Sequence, residues 1–333
     1  MSARVLVVIL NWRTPDMTLR ATEATLAAME GVEGAVTVVD NDSGDGSFER
    51  MRDAVAARGW GRVRVLQSGR NGGFGAGNNA GIRAGLPDGR PDFVLVLNSD
   101  AFPRPDAIRA LRDHLLAHPR AAFAGSCLVD ETGTPQLSTF RFPTIPGQFE
   151  GAARTGPLTR LLARWVVPVP VPERSCRVDW LAGASLMMRM DALDEIGLFD
   201  ERFFLYFEET DLCLRLARAG HEVHFVRDSV VMHIDSGTTG AKDWDEVPGY
   251  WYESRWHYFE KNHGRAYALA ATAAQVAGGL LHRLRSLLAG RRPDEPRRFL
   301  RRLVAHDLRA LFGPARTAAG PAPQAAGRIS ENN

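Results

Sequence analysis

Short apolar runs alternate with amphipathic segments along the first 125 residues of the chain. These runs are Val5–Leu10, Ala35–Val39, Val63–Gln67, Phe93–Leu97 and Ala121–Gly125. The uninterrupted apolar run Val5–Leu10 is typical of a strand buried on both faces. Between them apolar residues recur at helical spacing, which predicts helices from about Pro15 to Met29, Phe48–Ala57, Gly77–Ala84 and Asp106–Ala117. The alternation is typical of βαβ units, so it predicts an α/β fold with a mostly parallel sheet.

Polar residues follow four of these predicted strands. Asn11 ends the first strand, Asp40 and Asn41 follow the second, Asn71 comes shortly after the third, and the triplet at 98–100 (Asn-Ser-Asp) ends the fourth. In parallel α/β sheets, ligands bind beyond the carboxyl ends of the strands. The pattern therefore predicts a ligand site at this edge of the sheet.

The composition narrows the class of protein. The chain has 333 residues, 45% of them hydrophobic and 24% charged, and a formal net charge of +2. These values exclude a disordered or fibrous protein. The small net charge gives no overall positive electrostatic field that would attract nucleic acid. Three cysteines without a CxxC pair indicate neither a disulfide framework nor a thiolate zinc site. The first apolar run is too short for a signal peptide or a membrane span, so we expect a cytoplasmic protein.

A glycine-rich segment at residues 75–80 (GAGNNA) fits the relaxed dinucleotide pattern G-x-G-x-x-A. That fingerprint follows the first strand of a Rossmann unit, whereas this segment follows the third predicted strand, so NAD or FAD binding is disfavoured. Two alternatives stay open here. The segment is either a helix start at which a diphosphate or sugar approaches backbone N–H groups, or a plain flexible turn.

Two candidate metal ligands stand at predicted strand ends. Asp100 follows the run Phe93–Leu97, where a carboxylate either coordinates Mg²⁺ or Mn²⁺ or caps a turn or helix. His233 follows the apolar triplet at 230–232 (VVM). Such a His is either a packed core residue or, together with Asp100, part of a metal site.

An acidic and aromatic segment at residues 199–215 contains a candidate general base. If residues 209–216 are helical, Glu208 and Asp211 share one face, and Glu209 points elsewhere and is free for a cleft. The neighbouring aromatic residues would desolvate this carboxylate and raise its pKa, which suits it to take a proton from a hydroxyl. The alternative is a helix N-terminus at which acidic residues are favourable.

Taken together, six motifs in order resemble glycosyltransferase family 2, the inverting enzymes of GT-A fold, and most closely its bacterial rhamnosyltransferase-like branch. The resemblance covers roughly residues 5–264 and rests on VVILNW, VVDNDSGDGS, NGGFGAGNNAGI, FVLVLNSD, WLAGASLMMR and GLFDERFFLYFEETDLCLRLARAG, the last followed by VMH. It implies a Rossmann-like nucleotide-binding sheet flanked by helices within a domain at 1–264. The donor half is expected at about 1–125 and the acceptor half at about 126–264.

The resemblance also implies a donor site for a nucleotide sugar. Asp40 would recognise the base and ribose region, with Asn11 near it. The Asn-Ser-Asp triplet stands at the DxD position, where Asn98 replaces the usual first Asp. The donor-binding residues implied are Asn11, Asp40, Asn41, Asn71, Asn79, Asn98 and Ser99.

Further residues are implied for catalysis. Asp100 and His233 would bind Mg²⁺ or Mn²⁺, and Glu209 would be the base, although the family more often has Asp there, so Glu208 and Asp211 are alternates. The residues implied to line the sugar or acceptor pocket are Trp180, Gly183 and Ala184.

The implied reaction is metal-dependent, inverting transfer of a sugar to a hydroxyl of a glycan or lipid-linked acceptor in cell-surface polysaccharide synthesis. L-rhamnose from dTDP-rhamnose is the favoured donor. Two other classes stay open. One is a carbohydrate-binding or partner-binding module that keeps the fold without turnover. The other is a sugar-phosphate nucleotidyltransferase, which would normally carry a glycine-rich basic loop where this chain has the sequence NWRT at 11–14.

The composition changes after Gly264. Residues 266–281 are Ala-rich and fall short of the roughly 20 apolar residues needed to span a bilayer. From there to position 309 the chain has nine arginines and only three acidic residues. The pattern predicts a helical, basic, amphipathic region at 265–312. It either lies on the inner face of the cytoplasmic membrane, packs on the catalytic domain or forms a dimer contact. The tail at 313–333 is expected to be disordered.

Overall fold

The computed structural model describes residues 3–234 and 244–313. The strands in this part of the chain are β1 Val5–Asn11, β2 Gly34–Asp40, β3 Val63–Gln67, β4 Phe93–Asn98, β5 Ala101–Pro103, β6 Ala121–Val129, β7 Thr139–Phe140, β8 Pro168–Val169, β9 Cys176–Val178, β10 Trp180–Leu181, β11 Ser185–Arg189 and β12 Glu222–His233. The helices are α1 Pro15–Ala28, α2 Ser47–Ala57, α3 Gly73–Ala84, α4 Ala107–Ala117, α5 Ile145–Ala153, α6 Gly156–Leu161, α7 Met190–Ile196, α8 Glu208–Arg218, α9 Gly249–His263, α10 Arg265–Leu288 and α11 Phe299–Phe312.

A nine-stranded sheet runs through the centre of the fold, in the order β3-β2-β1-β4-β11-β6-β12-β5, with β9 paired to β12. The pairs β3–β2, β2–β1, β1–β4 and β6–β12 are parallel. All five predicted strands form, the last of them four residues longer than expected, and α1 to α4 form between them. The predicted α/β fold with a mostly parallel sheet is confirmed.

One strand that the pattern did not predict lies inside this sheet. β11 pairs antiparallel with β4 on one side and with β6 on the other. The region from 130 to 177, for which the pattern predicts no elements, contains α5, α6 and the strands β7 and β8 of a small sheet ordered β10-β7-β8. These elements are short, and helical or alternating periodicity is hard to detect over so few residues.

The apolar runs of the central strands are buried on both faces of the sheet. In β1, Val7 and Ile9 pack in one layer with Leu111 of α4, while Leu6 packs in the other layer with Ile82 of α3. Burial on both sides explains why these strands read as continuous apolar runs.

The glycines of α3 allow this helix to lie unusually close to the sheet. A Cβ atom on Gly77 would lie 2.4 Å from Leu10 Cδ1, and one on Gly81 would lie 2.5 Å from Val8 Cγ1. Both distances are too short for a real side chain, so the glycines are needed for helix–sheet packing. Neither alternative considered for the GAGNNA segment, an approach of phosphate to the helix start or a flexible turn, accounts for these two contacts.

The C-terminal helices pack on the rest of the protein. α10 crosses α5 so closely that a Cβ on Gly278 would lie 2.4 Å from the carbonyl oxygen of Phe149. Asp307 of α11 forms a buried 3.2 Å ion pair with Arg255 of α9. Among the described helices none is both long and apolar enough to cross a bilayer. The tail expected to be disordered lies, after Gly313, outside the described residues.

Candidate active site

The polar residues at the ends of β1, β2 and β4 meet at one edge of the sheet. Asn11 is the register partner of Asp40, and Leu10, the residue before Asn11, is the partner of Asn98. Because the three strands are parallel neighbours, their carboxyl ends lie side by side. The structure thus brings together three side chains that are 29 and 58 positions apart in the sequence.

The carboxylate of Asp40 is held in one orientation by its neighbours. Asn11 Nδ2 donates to its Oδ1 at 2.7 Å, and Ser43 donates to it twice, through its hydroxyl at 2.6 Å and its backbone N–H at 3.1 Å. Asn11 is fixed in turn by the hydroxyl of Thr18 at 2.7 Å. A carboxylate has about four acceptor positions, so the buried Asp40 can still accept a hydrogen bond from a nucleotide.

Asn41 and Asn71 lie together beside this edge. Asn41 Nδ2 donates to Asn71 Oδ1 at 3.0 Å and to the carbonyl oxygen of Gly73 at 3.2 Å, which ties the turn before α3 to the end of β2. Gly73 has a φ of 89°, and a Cβ there would lie 1.9 Å from the carbonyl oxygen of Phe204. Only glycine fits this position, because the turn lies directly against the loop that leads to α8.

Asn79 is fully buried away from the strand-end residues. Its amide donates to the carbonyl oxygen of Phe199 at 2.9 Å and to Glu201 at 3.1 Å, and its Oδ1 accepts the N–H of Phe199 at 3.1 Å. These bonds fasten the segment before α8 to α3. The structure therefore does not group Asn79 with the donor-binding residues that the resemblance implied.

Asp100 and His233 form a pair although 133 positions separate them. The short strand β5 follows Asp100 and pairs antiparallel with the end of β12, where Ala101 is the register partner of His233. His233 Nε2 lies 3.3 Å from Asp100 Oδ1 and 3.4 Å from the side-chain nitrogen of Asn98. Ser99 lies 3.4 Å from the hydroxyl of Thr14.

This pair fits a divalent cation that also binds a ligand. Asp100 Oδ1 is buried and accepts no hydrogen bond from any described residue, and it faces an imidazole nitrogen. A carboxylate oxygen with an imidazole suits Mn²⁺ or Mg²⁺. No cluster of three or more metal-binding side chains occurs in the described part of the chain. Two protein ligands leave coordination positions for phosphate oxygens.

Glu209 lies at the start of α8, directly after a strained turn. Tyr206 and Phe207 both have positive φ, of 70° and 68°, which is costly for residues other than glycine. Burial raises the pKa of Glu209 to about 7, and a hydrogen bond from the backbone N–H of Gly183 opposes this rise only in part. Its Oε2 is buried and has no hydrogen-bond partner among the described residues.

The two neighbouring acids have different surroundings. Glu208 is 2% exposed, and burial together with the charge of Glu209 raises its pKa well above the ordinary value. Asp211 is fully buried and accepts hydrogen bonds from Arg215 at 2.9 Å, Lys261 at 2.8 Å and Asn262 at 2.9 Å. Its carboxylate is therefore occupied by the packing of α8 against α9.

A short backbone segment connects the base to the donor edge. The carbonyl oxygen of Ala184 accepts the N–H of Asn98 at 3.0 Å. A Cβ on the preceding Gly183 would lie 3.2 Å from the ring of Phe74 and 3.9 Å from Glu209 Oε1. Glu209 and the strand-end residues therefore belong to one continuous site. Trp180 lies on the same segment, stacked on Phe140 at 4.2 Å.

Sequence reasoning missed several residues of the site. Ser43 lies within the DNDS motif, three residues after Asp40, and the preference of Asp for hydrogen-bonded turns was a usable signal. Gln136 donates to the backbone oxygen of His233 at 3.2 Å, and Phe74 packs beside Gly183. Phe74 lies within the motif NGGFGAGNNAGI, whereas no sequence pattern indicated Gln136, because only the folded chain places it there.

Known proteins are similar to this chain in sequence. The sequence model described as "Glycosyltransferase like family 2" matches residues 3–248. The N-acetylglucosaminyl-diphospho-decaprenol L-rhamnosyltransferase of Mycobacterium tuberculosis (strain ATCC 25618 / H37Rv) is 31% identical over 251 residues, 71% of this chain and 78% of that protein. Rhamnosyltransferase WbbL of Escherichia coli (strain K12) is 29% identical over 159 residues, 46% of this chain and 58% of that protein.

The fold has a counterpart among solved structures. Mannosyltransferase PcManGT from Pyrobaculum calidifontis, solved in complex with GDP-Man and Mn²⁺, superposes with a TM-score of 0.53 at 14% sequence identity, covering 94% of this chain and 88% of that one. At this identity the likeness concerns the fold alone. Since the family match spans most of the chain, the chain belongs to glycosyltransferase family 2 and is a glycosyltransferase of GT-A fold.

Proposed function

We propose that this enzyme transfers L-rhamnose from dTDP-rhamnose to a hydroxyl of a lipid-linked glycan in cell-surface polysaccharide synthesis, with inversion at the anomeric carbon. The two bacterial relatives are rhamnosyltransferases, which supports rhamnose as the sugar. The name of the mycobacterial relative supports an acceptor sugar on a polyprenol diphosphate. The observation that carries the proposal is the position of Glu209, a carboxylate of raised pKa beside the donor edge.

The donor is held by the residues at the strand ends. Asp40, oriented by Asn11 and Ser43, accepts hydrogen bonds from the base and ribose region, and Asn41 and Asn71 shape the adjoining turn. Asp100 and His233 would hold Mg²⁺ or Mn²⁺. A bound divalent cation supplies positive charge, which stabilises the diphosphate as it leaves.

Glu209 acts on the acceptor. The hydroxyl oxygen bonds to the anomeric carbon from the face opposite the nucleotide, while the bond from that carbon to the diphosphate oxygen breaks and its electron pair leaves with the diphosphate. The hydroxyl proton passes to the Glu209 carboxylate. A base with a pKa near 7 suits this step, because enough of it is ionised near neutral pH and it still binds the proton.

Two parts of the chain have different roles, one in catalysis and one in attachment to the membrane. Residues 1–264 carry the donor site and the base, and 265–312 hold the cytoplasmic enzyme against an anionic membrane surface. α10 supports this contact because its last turns expose four leucines, 55–80% accessible and spaced along one helix face, called here the leucine face: Leu280, Leu284, Leu287 and Leu288.

The test uses purified full-length protein with dTDP-rhamnose and a panel of UDP- and GDP-sugars. Released nucleoside diphosphate is measured with Mg²⁺, Mn²⁺ or EDTA, for wild type, D100A and E209Q. E195Q is the matched control, since Glu195 is an exposed acid that pairs with His221 away from the strand ends. Metal-dependent release from dTDP-rhamnose that both site variants lose and E195Q retains is the expected result.

Other outcomes change or remove the proposal. Release from a UDP- or GDP-sugar alone would replace rhamnose as the donor sugar. An absence of turnover and of binding with every donor and both metals, even with a lipid extract supplied as acceptor, would overturn it.

A further inference from the structure

A cavity lined by arginine side chains lies between the N-terminus of α9 and one face of α11. Its volume is about 290 Å³. The lining residues that matter here are Tyr252, Arg298, Arg301, Arg302, His306 and Arg309. Four arginines in one small cavity form a concentrated positive charge, which favours an anionic ligand.

Three of these arginines have no ion-pair partner among the residues that the structure describes. Arg302 pairs with Glu246 at 2.7 Å, whereas Arg298, Arg301 and Arg309 form no ion pair with any carboxylate in the described ranges. Arg309 Nε donates only to the backbone oxygen of Ala305, at 2.9 Å. Like charges placed close together repel one another, so an anion bound to the three unpaired arginines would relieve the repulsion.

The wall formed by α9 adds neutral hydrogen-bond donors. Tyr252 is 2% exposed, and its hydroxyl has no hydrogen-bond partner among the described residues. Burial raises the pKa of this hydroxyl to about 12, so it keeps its proton and can donate. α9 begins at Gly249, which also lines the cavity, and its first turn contains no acidic residue. The unpaired N–H groups of a helix N-terminus are donors suited to phosphate.

The wall of the cavity lies near the aromatic turn that precedes Glu209. Tyr250, next to Gly249 at the cavity wall, packs at 5.5 Å from the ring of Phe204 and at 6.3 Å from that of Tyr206. Those two rings belong to the turn that leads into α8, whose second residue is Glu209. These aromatic contacts therefore connect the cavity wall to the turn that precedes the base.

Apolar residues lie beside the arginines on α11. Leu308 is 47% exposed and Phe312 is 83% exposed, and both follow Arg301 at spacings of seven and eleven residues, on the same helix face. A phosphate in the cavity would place an attached hydrocarbon next to these side chains. The combination of arginines with exposed apolar neighbours fits an amphiphilic phosphate better than a nucleotide.

From these observations we infer that the cavity binds the diphosphate group of the lipid-linked acceptor, with the arginines and the Tyr252 hydroxyl as donors. The identification of the bound molecule as the acceptor rests on the proposed function. Binding of a prenyl diphosphate does not, and it can be tested separately. The site differs from the donor site in holding the diphosphate through guanidinium groups, which bind phosphate in a bidentate manner.

The experiment measures binding of geranyl diphosphate to the full-length protein by calorimetry, in EDTA so that binding through a metal at the donor edge is suppressed. R301A/R309A removes two cavity arginines. R291A/R292A is the matched control, because it removes the same charge from exposed arginines that do not line the cavity. We expect R301A/R309A to weaken binding at least about tenfold, since each charge-assisted hydrogen bond contributes more than a neutral one. The control should bind as wild type does.

Three results would overturn the inference. These are no binding to wild type, equal weakening in both double variants, and dependence on Arg301 and Arg309 for phosphatidylglycerol vesicles but not for geranyl diphosphate. The last result would assign the cavity to phospholipid headgroups. Donor turnover is measured in parallel, so that failure of the transferase proposal, which shows as no turnover, is distinguished from failure of the cavity proposal.

Discussion

Replacing Glu209 with Gln removes the proposed base while nearly preserving the size of the side chain. The pKa of Glu209 is raised to about 7 by burial, so its carboxylate forms only as the pH rises through that value. For wild type we expect log kcat/KM to rise with a slope of one up to about pH 7 and then to level off. Activity at pH 5 should therefore be about one hundredth of the plateau. In E209Q we expect turnover to fall by about 10²–10⁴-fold and the pH step to disappear.

The same pKa shift makes the free energy of unfolding depend on pH. An unfolded Glu ionises near pH 4.5, whereas Glu209 in the folded protein ionises near 7. Between these values the unfolded state releases its proton and the folded state does not, so wild type loses stability as the pH rises from about 4.5 to 7. The difference of about 2.5 pKa units corresponds to about 3 kcal/mol. E209Q lacks this group, so its free energy of unfolding at pH 8 should exceed that of wild type by up to about 3 kcal/mol.

Two assays check this reasoning. Steady-state kinetics from pH 5 to 8 give the step, and urea unfolding at pH 4.5 and 8 gives the stability difference. E208Q is the control, because the raised pKa of Glu208 favours its neutral form, which an amide resembles. A pH step that is lost in E208Q and kept in E209Q, or E209Q that is no more stable than wild type at pH 8, would refute the assignment.

Three further changes test the packing and the membrane contact. Gly81→Ala places a Cβ 2.5 Å from a β1 side chain, so we expect a loss of about 1–3 kcal/mol in urea unfolding; an unchanged midpoint would contradict the close approach of α3. Asp307→Asn leaves Arg255 buried without its ion-pair partner and should cost about 3–5 kcal/mol by calorimetry; a wild-type melting temperature would contradict this. L284S/L288S should weaken co-sedimentation with anionic vesicles by at least about tenfold while donor turnover in solution is kept; equal sedimentation would contradict the leucine face as the contact.

The donor half of the fold could be predicted from the sequence because its order is local. The central parallel strands β1 and β4 are buried on both faces and form apolar runs, and each helix follows its strand within a few residues. β11 could not be placed in this way, since an antiparallel strand between β4 and β6 has no local signature that distinguishes it from a parallel one. Its position depends on pairing with β4 across about 90 positions of the chain and with β6 across about 60.

The sequence alone also determined which residue types stand at the strand ends, including Asn11, Asp40 and Asp100. Only the tertiary structure decided which of them meet. The pairing of β5 with β12 brings His233 to Asp100, and the packing of α8 against α9 occupies Asp211 while leaving Glu209 beside the donor edge. The physical reason is that a carboxylate's chemistry depends on its partners and its burial, and both are set by residues far away in the chain.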